Sequence, residues 1–182
     1  MDGIVGESRW IKLLYSDAAQ VVLAQFERDI AEQRSNRSLY IRPRDGAEYR
    51  RVFGEDDFTS AHDVVLSPRS LFAFFLVFFA SERKLPSRGW NIREVARLDL
   101  RSGEVTTALD MKLYRERNDD GWVSGLIDVD DDGTTILCKT AAHREPKPSE
   151  GPRYGKIDYS LSRVTLATGE VERITLLRNT GF

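Results

Sequence analysis

The chain is predicted to be an all-β protein made of three similar repeats, each built from four short antiparallel strands. Two observations predict this fold. A short strand, a turn closed by glycine and a second strand recur around Gly46, Gly103 and Gly169, each about 60 residues from the next. A further pair of short apolar runs precedes each of these segments. A period of this length, built from strands, is typical of stacked sheets rather than of one mixed domain. We expect a single domain over residues 1–182, with repeats at about residues 10–54, 58–110 and 122–178.

Apolar runs separated by polar turns predict the strands of each repeat in chain order. The first repeat is expected to contain Ile11–Tyr15, Val21–Glu27, Ser38–Arg42 and Tyr49–Phe53. The second is expected to contain Asp63–Leu66, Leu71–Ser81, Ile92–Leu100 and Val105–Leu109, with Pro68 presetting its first turn. The third is expected to contain Leu126–Val129, Thr135–Ala142, Lys156–Leu166 and Val171–Leu177, with Gly133 ending its first hairpin turn.

One segment has two interpretations. Residues Asp17 to Gln33 contain good helix formers and a polar residue suited to a helix N-cap. The repeat favours a strand instead, because Val21–Phe26 occupies the place of Leu71–Phe79 and Thr135–Ala142. We therefore predict a strand here.

The run Leu71 to Phe79 is apolar without alternation. A strand of this kind has to be covered on both faces. A central repeat flanked by two others supplies that cover. If the two outer repeats are also covered on both faces, something beyond this chain has to cover them.

Composition excludes several functional classes. The formal net charge of −2 gives no reason to expect nucleic-acid or membrane binding. The single cysteine, Cys138, excludes an internal disulfide and fits a buried packing thiol in a reducing compartment. The start of the chain does not read as a signal peptide, and the longest apolar stretch, Leu71 to Ala80, is too short to span a bilayer. We expect a cytoplasmic protein. Without a P-loop, a dinucleotide fingerprint or a nucleophile elbow, we expect no cofactor.

The repeat resembles the blades of WD-repeat-like β-propellers, of the kind found in TolB and related bacterial proteins. The resemblance rests on a Ser-Pro turn, an apolar strand and the segments Leu98–Val105 and Val164–Val171, which share the ending Gly-Glu-Val. It covers about residues 10 to 177. Arg69 and Ser70 replace the Asp-Gly that usually follows Ser-Pro, and no Trp-Asp dipeptide is present. The resemblance implies blade architecture and says little about activity.

Three blades are fewer than the four to eight with which propellers close. They leave apolar surface and sheet edges that favour association. Two copies related by a two-fold axis would supply six blades and close the ring. We therefore expect a homodimer. A partial propeller, or an open stack of three sheets, is the alternative.

The blade topology collects the long hairpin loops on one face, together with the connections between repeats. These loops span Glu27–Arg37, Ser81–Asn91 and His143–Gly155, and they are rich in basic and aromatic residues. Long loops on one face of a repeat protein are a common place for binding. The candidate ligand-binding residues for an anionic or carbohydrate ligand, or for an acidic protein partner, are Arg83, Lys84, Arg88, Trp90, His143, Arg144, Arg153 and Tyr154. A solvated loop of balanced charge is the competing interpretation.

Both histidines are expected on this face. His62 lies beside Asp63 and just before a first strand, and His143 lies in the third long loop. Oligogalacturonate lyases are propellers with a histidine-bearing metal site, so the resemblance implies His62 and His143 as candidate catalytic residues. The alternative is that both are exposed loop histidines.

The segment Asp128 to Gly133 reads D-x-D-x-D-G, like the opening of a calcium loop, with Asp128, Asp130 and Asp132 as candidate ligands. The pattern then fails, because Ile136 and Lys139 stand where a ligand and a bidentate glutamate belong. A polar hairpin turn is the competing interpretation.

The expected function is a non-enzymatic binding or scaffold module that uses the long-loop face. The alternatives are a carbohydrate-active enzyme similar to oligogalacturonate lyases, and a fragment of a larger propeller without separate activity.

Overall fold

A computed structural model describes residues 8–30, 34–54, 59–67, 71–80, 90–119, 121–144 and 156–177. The described chain forms three four-stranded antiparallel sheets, each made of strands consecutive in sequence. The first sheet contains β1 Ser8–Ser16, β2 Val21–Ile30, β3 Arg34–Pro43 and β4 Arg50–Phe53. The second contains β5 Thr59–Leu66, β6 Phe72–Ala80, β7 Trp90–Asp99 and β8 Val105–Asp110. A helix, α1 Met111–Arg117, leads to the third sheet, which contains β9 Trp122–Val129, β10 Thr135–Arg144, β11 Lys156–Thr165 and β12 Val171–Leu177.

The predicted repeat is confirmed, including the strand in the ambiguous segment. Val21 to Ile30 is a strand that pairs with β1 on one side and β3 on the other. Hydrogen bonds to two neighbouring strands outweigh the local helix propensity of this segment. The expected long loop Glu27–Arg37 is wrong, because the β2–β3 ladder continues to the pair Ile30 and Arg34.

Strand β6 forms the middle of the core, because its alternate side chains lie in two separate apolar clusters. Phe74 and Leu76 pack toward the third sheet, with Val95, Ile136 and Val164. On its other face, Ala73, Phe75 and Val77 pack toward the first sheet, in the cluster that also holds Leu23, Leu39 and Leu98. All five of these β6 side chains are buried. The predicted cover of both faces is therefore confirmed.

Cys138 also lies in the cluster between the second and third sheets, fully buried. Burial raises the pKa of its thiol to about 12, so the thiol stays protonated at neutral pH. It is a packing residue, as the sequence predicts.

The glycine turns are alike in the second and third sheets and different in the first. Gly103 and Gly169 have φ angles of +77° and +69°. Their amides donate to Asp99 and Thr165 respectively. A glycine fits this left-handed conformation without strain. Gly46, in contrast, does not have a positive φ, and its amide donates to the carbonyl of Pro43, the last residue of β3.

Helix α1 lies in the connection between the second and third repeats, where the sequence had predicted no element. The Asp110 side chain caps it by accepting hydrogen bonds from the amides of Lys112 and Leu113. Met111 and Tyr114 fill the core between the second and third sheets. At its end, the Asn118 side chain donates to the carbonyl of Gly169 at 3.1 Å, which ties the helix to the β11–β12 turn. Within the described residues, no helix is long and apolar enough to cross a membrane.

We predict that Phe74→Ala lowers the free energy of unfolding by about 3–5 kcal/mol, because the side chain is 0% exposed and leaves a cavity between two sheets. Urea denaturation followed by circular dichroism measures the change. Leu113→Ala is the control, since Leu113 is 40% exposed on α1 and should change stability by about 0.5 kcal/mol or less. Equal losses in the two variants would contradict the two-sided core.

Candidate functional site

The polar residues that the structure brings together form a network between the first and second sheets. We call Arg9, Glu27, Arg37, Ser60 and His62 the inter-sheet network. Strand register brings three of its five residues together, because Arg9 pairs with Glu27 across β1–β2, and Glu27 pairs with Arg37 across β2–β3. Cross-strand partners share a face. The three side chains therefore form one row facing β5, which carries Ser60 and His62.

Glu27 is the buried centre of this row, with 6% of its side chain exposed. Arg9 donates from Nε and Nη2 to Oε2 at 3.1 and 3.0 Å. Arg37 donates from Nε to Oε1 at 2.9 Å. Each carboxylate oxygen thus has its own guanidinium, which compensates the desolvation of a buried charge.

His62 joins the network through both ring nitrogens. Its Nδ1 lies 3.0 Å from Nη1 of Arg37, and its Nε2 lies 2.9 Å from Oγ of Ser60. A guanidinium only donates hydrogen bonds, so Nδ1 is the acceptor and Nε2 carries the proton. The imidazole also stacks against Phe78, with ring centroids 4.3 Å apart. Burial, and then the charge of Arg37, lower the pKa of His62 to about 4, against an opposing effect of Glu27.

This tautomer decides what the Ser60 and His62 pair does. A serine nucleophile needs a histidine nitrogen that accepts its proton. Here Nε2 donates to the Ser60 hydroxyl oxygen, which also accepts from the amide of Arg37 at 3.0 Å. Ser60 is 0% exposed. As arranged, the pair links β5 to β3 and does not activate a nucleophile.

The structure places His62 inside β5, whereas the sequence predicted that it lies just before a strand. His143 and Arg144 also lie in a strand rather than in the predicted loop, because β10 continues through them and pairs with Ile157 and Lys156. Trp90 begins β7 opposite Ala80. The other predicted ligand-binding residues lie outside the described residues: Arg83, Lys84, Arg88, Arg153 and Tyr154.

The aspartates of the calcium-like motif lie in and beside the β9–β10 hairpin turn. Asp130 accepts from the amide and hydroxyl of Thr134 at 2.7 and 2.8 Å. Burial raises the pKa of Asp130, but hydrogen bonds from Thr134 and Thr135 outweigh it and hold the pKa below its usual value. Asp128 accepts from the amide of Val129 at 2.9 Å, and Asp132 is exposed. Within the described part of the chain, no group of three His, Cys, Asp or Glu residues is placed to hold a metal ion.

A groove of about 500 Å³ separates α1 from the third sheet. Its floor includes Thr140 and Ser160, and Arg117 and Arg173 lie on its walls. The Thr140 hydroxyl is 2.8 Å from that of Ser162 and 3.5 Å from the carbonyl of Ser160, so the buried hydroxyl already has partners within the sheet. The groove therefore offers an open polar surface more than a defined binding site.

The outer face of the first sheet is the feature that sequence reasoning missed. Trp10, Leu13 and Tyr15 are 48%, 47% and 66% exposed. The ring of Trp10 lies within 4.9 to 5.5 Å of the rings of three further residues, which are Phe26, Tyr40 and Tyr49. We call these six residues the aromatic face.

A β-bulge concealed this face in the sequence. The register of β1 and β2 shifts between Trp10 and Lys12. Because of this extra residue, Trp10 shares a face with Leu13 and Tyr15, three and five positions later, instead of alternating with them. Simple period-two alternation would have placed Trp10 on the opposite face.

No protein-family model matches the chain, and no curated protein matches it. Among solved structures, the acylaminoacyl peptidase of Pyrococcus horikoshii aligns with a TM-score of 0.53 and 11% identity, over 93% of this chain and 25% of the peptidase. TolB from Acinetobacter baumannii aligns with a TM-score of 0.44 and 16% identity, over 90% of this chain and 32% of TolB. The β-propeller domain of the Trilobed protease from Pyrococcus furiosus aligns with a TM-score of 0.47 and 14% identity, over 96% of this chain and 44% of that chain.

At these identities the likeness concerns the fold alone, and the chain spans less than half of each of these proteins. Its own topology is that of blades, since three meandering four-stranded sheets stack face to face, and the first strands of the second and third sheets lie against each other. The chain is an all-β protein of three propeller-like blades.

We predict that wild-type stability falls as the pH is lowered from about 6.5 to 4. His62 is neutral in the folded protein, and its pKa of about 4 lies below the unfolded value of 6.5. The unfolded chain therefore binds the proton more tightly, and stability that is complete above pH 6.5 is lost toward pH 4, by up to about 3 kcal/mol.

Urea denaturation between pH 7.5 and 4 measures this loss. His62→Gln is the matched variant, because an amide can accept from Arg37 and donate to Ser60 but does not titrate. This variant should lose less stability than wild type over the interval. The same pH dependence in both proteins would rule out His62 as the source.

Proposed function

We propose that this chain is a non-enzymatic scaffold or binding module that completes its stack of blades with a second copy of itself. The observation that carries the proposal is the contrast between the middle blade and the first one. Phe75 on the middle blade is 0% exposed, while Trp10 and Tyr15 on the first are about half or more exposed. Monomeric proteins rarely leave a contiguous aromatic face of this kind in water.

The energetics favour covering this face. Fully burying a large apolar side chain contributes about 1.5–3 kcal/mol. For Trp10, Leu13 and Tyr15, about half of that remains available, since each is already partly covered. Tyr and Trp are also the residues that most often dominate interface energetics. A partner on this face is therefore stabilised by a compact central patch.

The geometry of His62 supports the non-enzymatic part of the proposal. Its proton lies on Nε2, its pKa is about 4, and both nitrogens are engaged within the protein. A general base at neutral pH needs a free acceptor nitrogen and a pKa near the working pH. The inter-sheet network instead serves to hold two blades in register.

The binding surface in this proposal is the long-loop face predicted from the sequence. Of its candidate residues, Arg83, Lys84, Arg88, Arg153 and Tyr154 lie outside the described residues, and Trp90, His143 and Arg144 lie in β7 and β10. An anionic or carbohydrate ligand, or an acidic protein, remains the predicted class of partner for it.

We predict that the wild-type chain elutes as a species of twice 20.8 kDa in size-exclusion chromatography with light scattering, and that it resists dilution. Leu13→Glu should convert it to a monomer, because a carboxylate on the aromatic face would be buried without a partner. Leu113→Glu is the control, because Leu113 is similarly exposed but lies on α1. A wild-type monomer at every concentration would contradict the proposal.

A further inference from the structure

We infer that the two copies dock head to tail, with the aromatic face of one copy against the outer face of the third sheet of the other. This inference rests on the proposed function and adds which surfaces meet. Two such contacts, related by a two-fold axis, would close a ring of six blades. Three features of the described residues support it: the composition of the third sheet, the equivalence of the strands, and the position of the charges.

The outer face of the third sheet carries apolar residues beside two cations, Lys139 and Arg163. Register places Leu137, Leu161, Tyr159 and Leu177 on this face, opposite to the side that holds Ile136 and Cys138. Leu177 is 38% exposed. The face has the pattern of a blade surface that packs against another blade rather than against water.

Contacts between the first and second sheets show how one blade of this chain meets the next. Gln25, the fifth residue of β2, donates from Nε2 to the carbonyl of Ala61 on the first strand of the second sheet, at 2.6 Å. Lys139 is the fifth residue of β10, and its side chain lies on the outer face of the third sheet, with Nζ 4.0 Å from the centre of the Tyr159 ring. Lys139 thus occupies the same position in β10 as Gln25 in β2, on the face that a following blade would meet.

That following blade is supplied by the aromatic face. It lies on the side of the first sheet opposite to Gln25, since Ala24 and Phe26 alternate with Gln25 along β2. Two copies stacked in the same direction therefore bring the third sheet of one against the first sheet of the other. This repeats the order in which the blades follow each other within the chain.

The charges on the outermost strands are complementary for this arrangement. Arg51 is the second residue of β4 and pairs with Tyr40, which places it on the aromatic face. Glu172 is the second residue of β12 and lies opposite Arg163 on the outer face of the third sheet, where its carboxylate is 3.5 Å from Nη1 of Arg163. Both are exposed and lie at the same end of corresponding strands. Head-to-tail stacking brings Arg51 toward Glu172.

Pairing of two aromatic faces with each other is less favourable. It would leave Leu161 and Leu177 uncovered on both copies. Head-to-tail docking covers both faces at once.

The buried area suits a stable assembly. A face of four strands is about 19 Å wide, and eight residues of strand are about 26 Å long. One such contact would bury on the order of 500 Å² per partner. The two contacts of the ring would bury about 2,000 Å² in total, at the upper end of the usual range for stable interfaces.

A mixing experiment tests the inference. Leu13→Glu alters only the aromatic face, and Leu161→Glu alters only the outer face of the third sheet. Each variant alone should be a monomer, because each ring contact uses one face of each kind. An equimolar mixture should recover a dimer, since one contact pairs an intact aromatic face with an intact third-sheet face. Circular dichroism and thermal unfolding of each variant confirm that it is folded, and Leu113→Glu should stay dimeric alone.

The outcomes separate the inference from the proposed function. If Leu161→Glu stays dimeric while Leu13→Glu is monomeric, the aromatic faces pair with each other, which overturns head-to-tail docking but leaves self-assembly intact. Two monomeric variants that do not associate when mixed also overturn it. A wild-type monomer overturns both.

A charge exchange gives an independent readout that does not depend on burying a new charge. Arg51→Glu and Glu172→Arg should each weaken the dimer by about fivefold per contact, because each places like charges together. The double variant should recover most of the wild-type dissociation constant, measured by dilution in light scattering. If the dissociation constant of the double variant does not recover, these two residues do not meet across the interface. That result would contradict the predicted register of the docking.

Discussion

The structure depends on one strand that has no solvent-facing side. Strand β6 places Phe74 and Leu76 in one apolar cluster and Phe75 and Val77 in another, so it can exist only between two other sheets. This requirement fixes the order of the stack, since the second sheet has to lie in the middle. It also explains why the first and third sheets differ from the second. Each of them has one face against the second sheet, and no further sheet covers its other face within the described residues.

The two interfaces on either side of the second sheet are held together differently. Between the second and third sheets the contact is largely apolar, filled by Phe74, Ile136, Val164 and Tyr114 of the helix. Between the first and second sheets, an apolar cluster is joined by hydrogen bonds from Arg37, which Glu27 holds in place, to His62 and Ser60. Apolar packing tolerates small displacements, whereas hydrogen bonds require defined geometry. The inter-sheet network therefore sets the register of the first blade on the second, and its His62 makes that contact sensitive to acid.

The sequence was sufficient to predict the repeat but not to predict the inter-sheet network or the aromatic face. Particular residues show why. The recurring apolar runs indicate which segments pair as strands. The strand at Val21–Ile30 was therefore predictable even though the segment has helix propensity. Helix α1 was not, because seven residues hold too few turns to show a helical period, and its signal is the Asp110 cap alone. Arg9, Glu27, Arg37 and His62 are far apart in sequence, and only strand register makes them neighbours. The bulge between Trp10 and Lys12 hid the aromatic face in the same way.

The exposed apolar faces of the outer sheets and the buried strand β6 both follow from the blade repeat. A blade repeat acquires an apolar surface on both sides, because each copy is built to contact a predecessor and a successor. In the middle blade both contacts are made within the chain, and β6 is the result. At the two ends the same apolar positions persist, as Trp10 and Leu13 on one side and Leu137 and Leu161 on the other. A surface of this origin matches the blade that would come next, and we propose that a second copy of the chain supplies that blade. In this proposal, self-association follows from the apolar faces that the repeat itself creates.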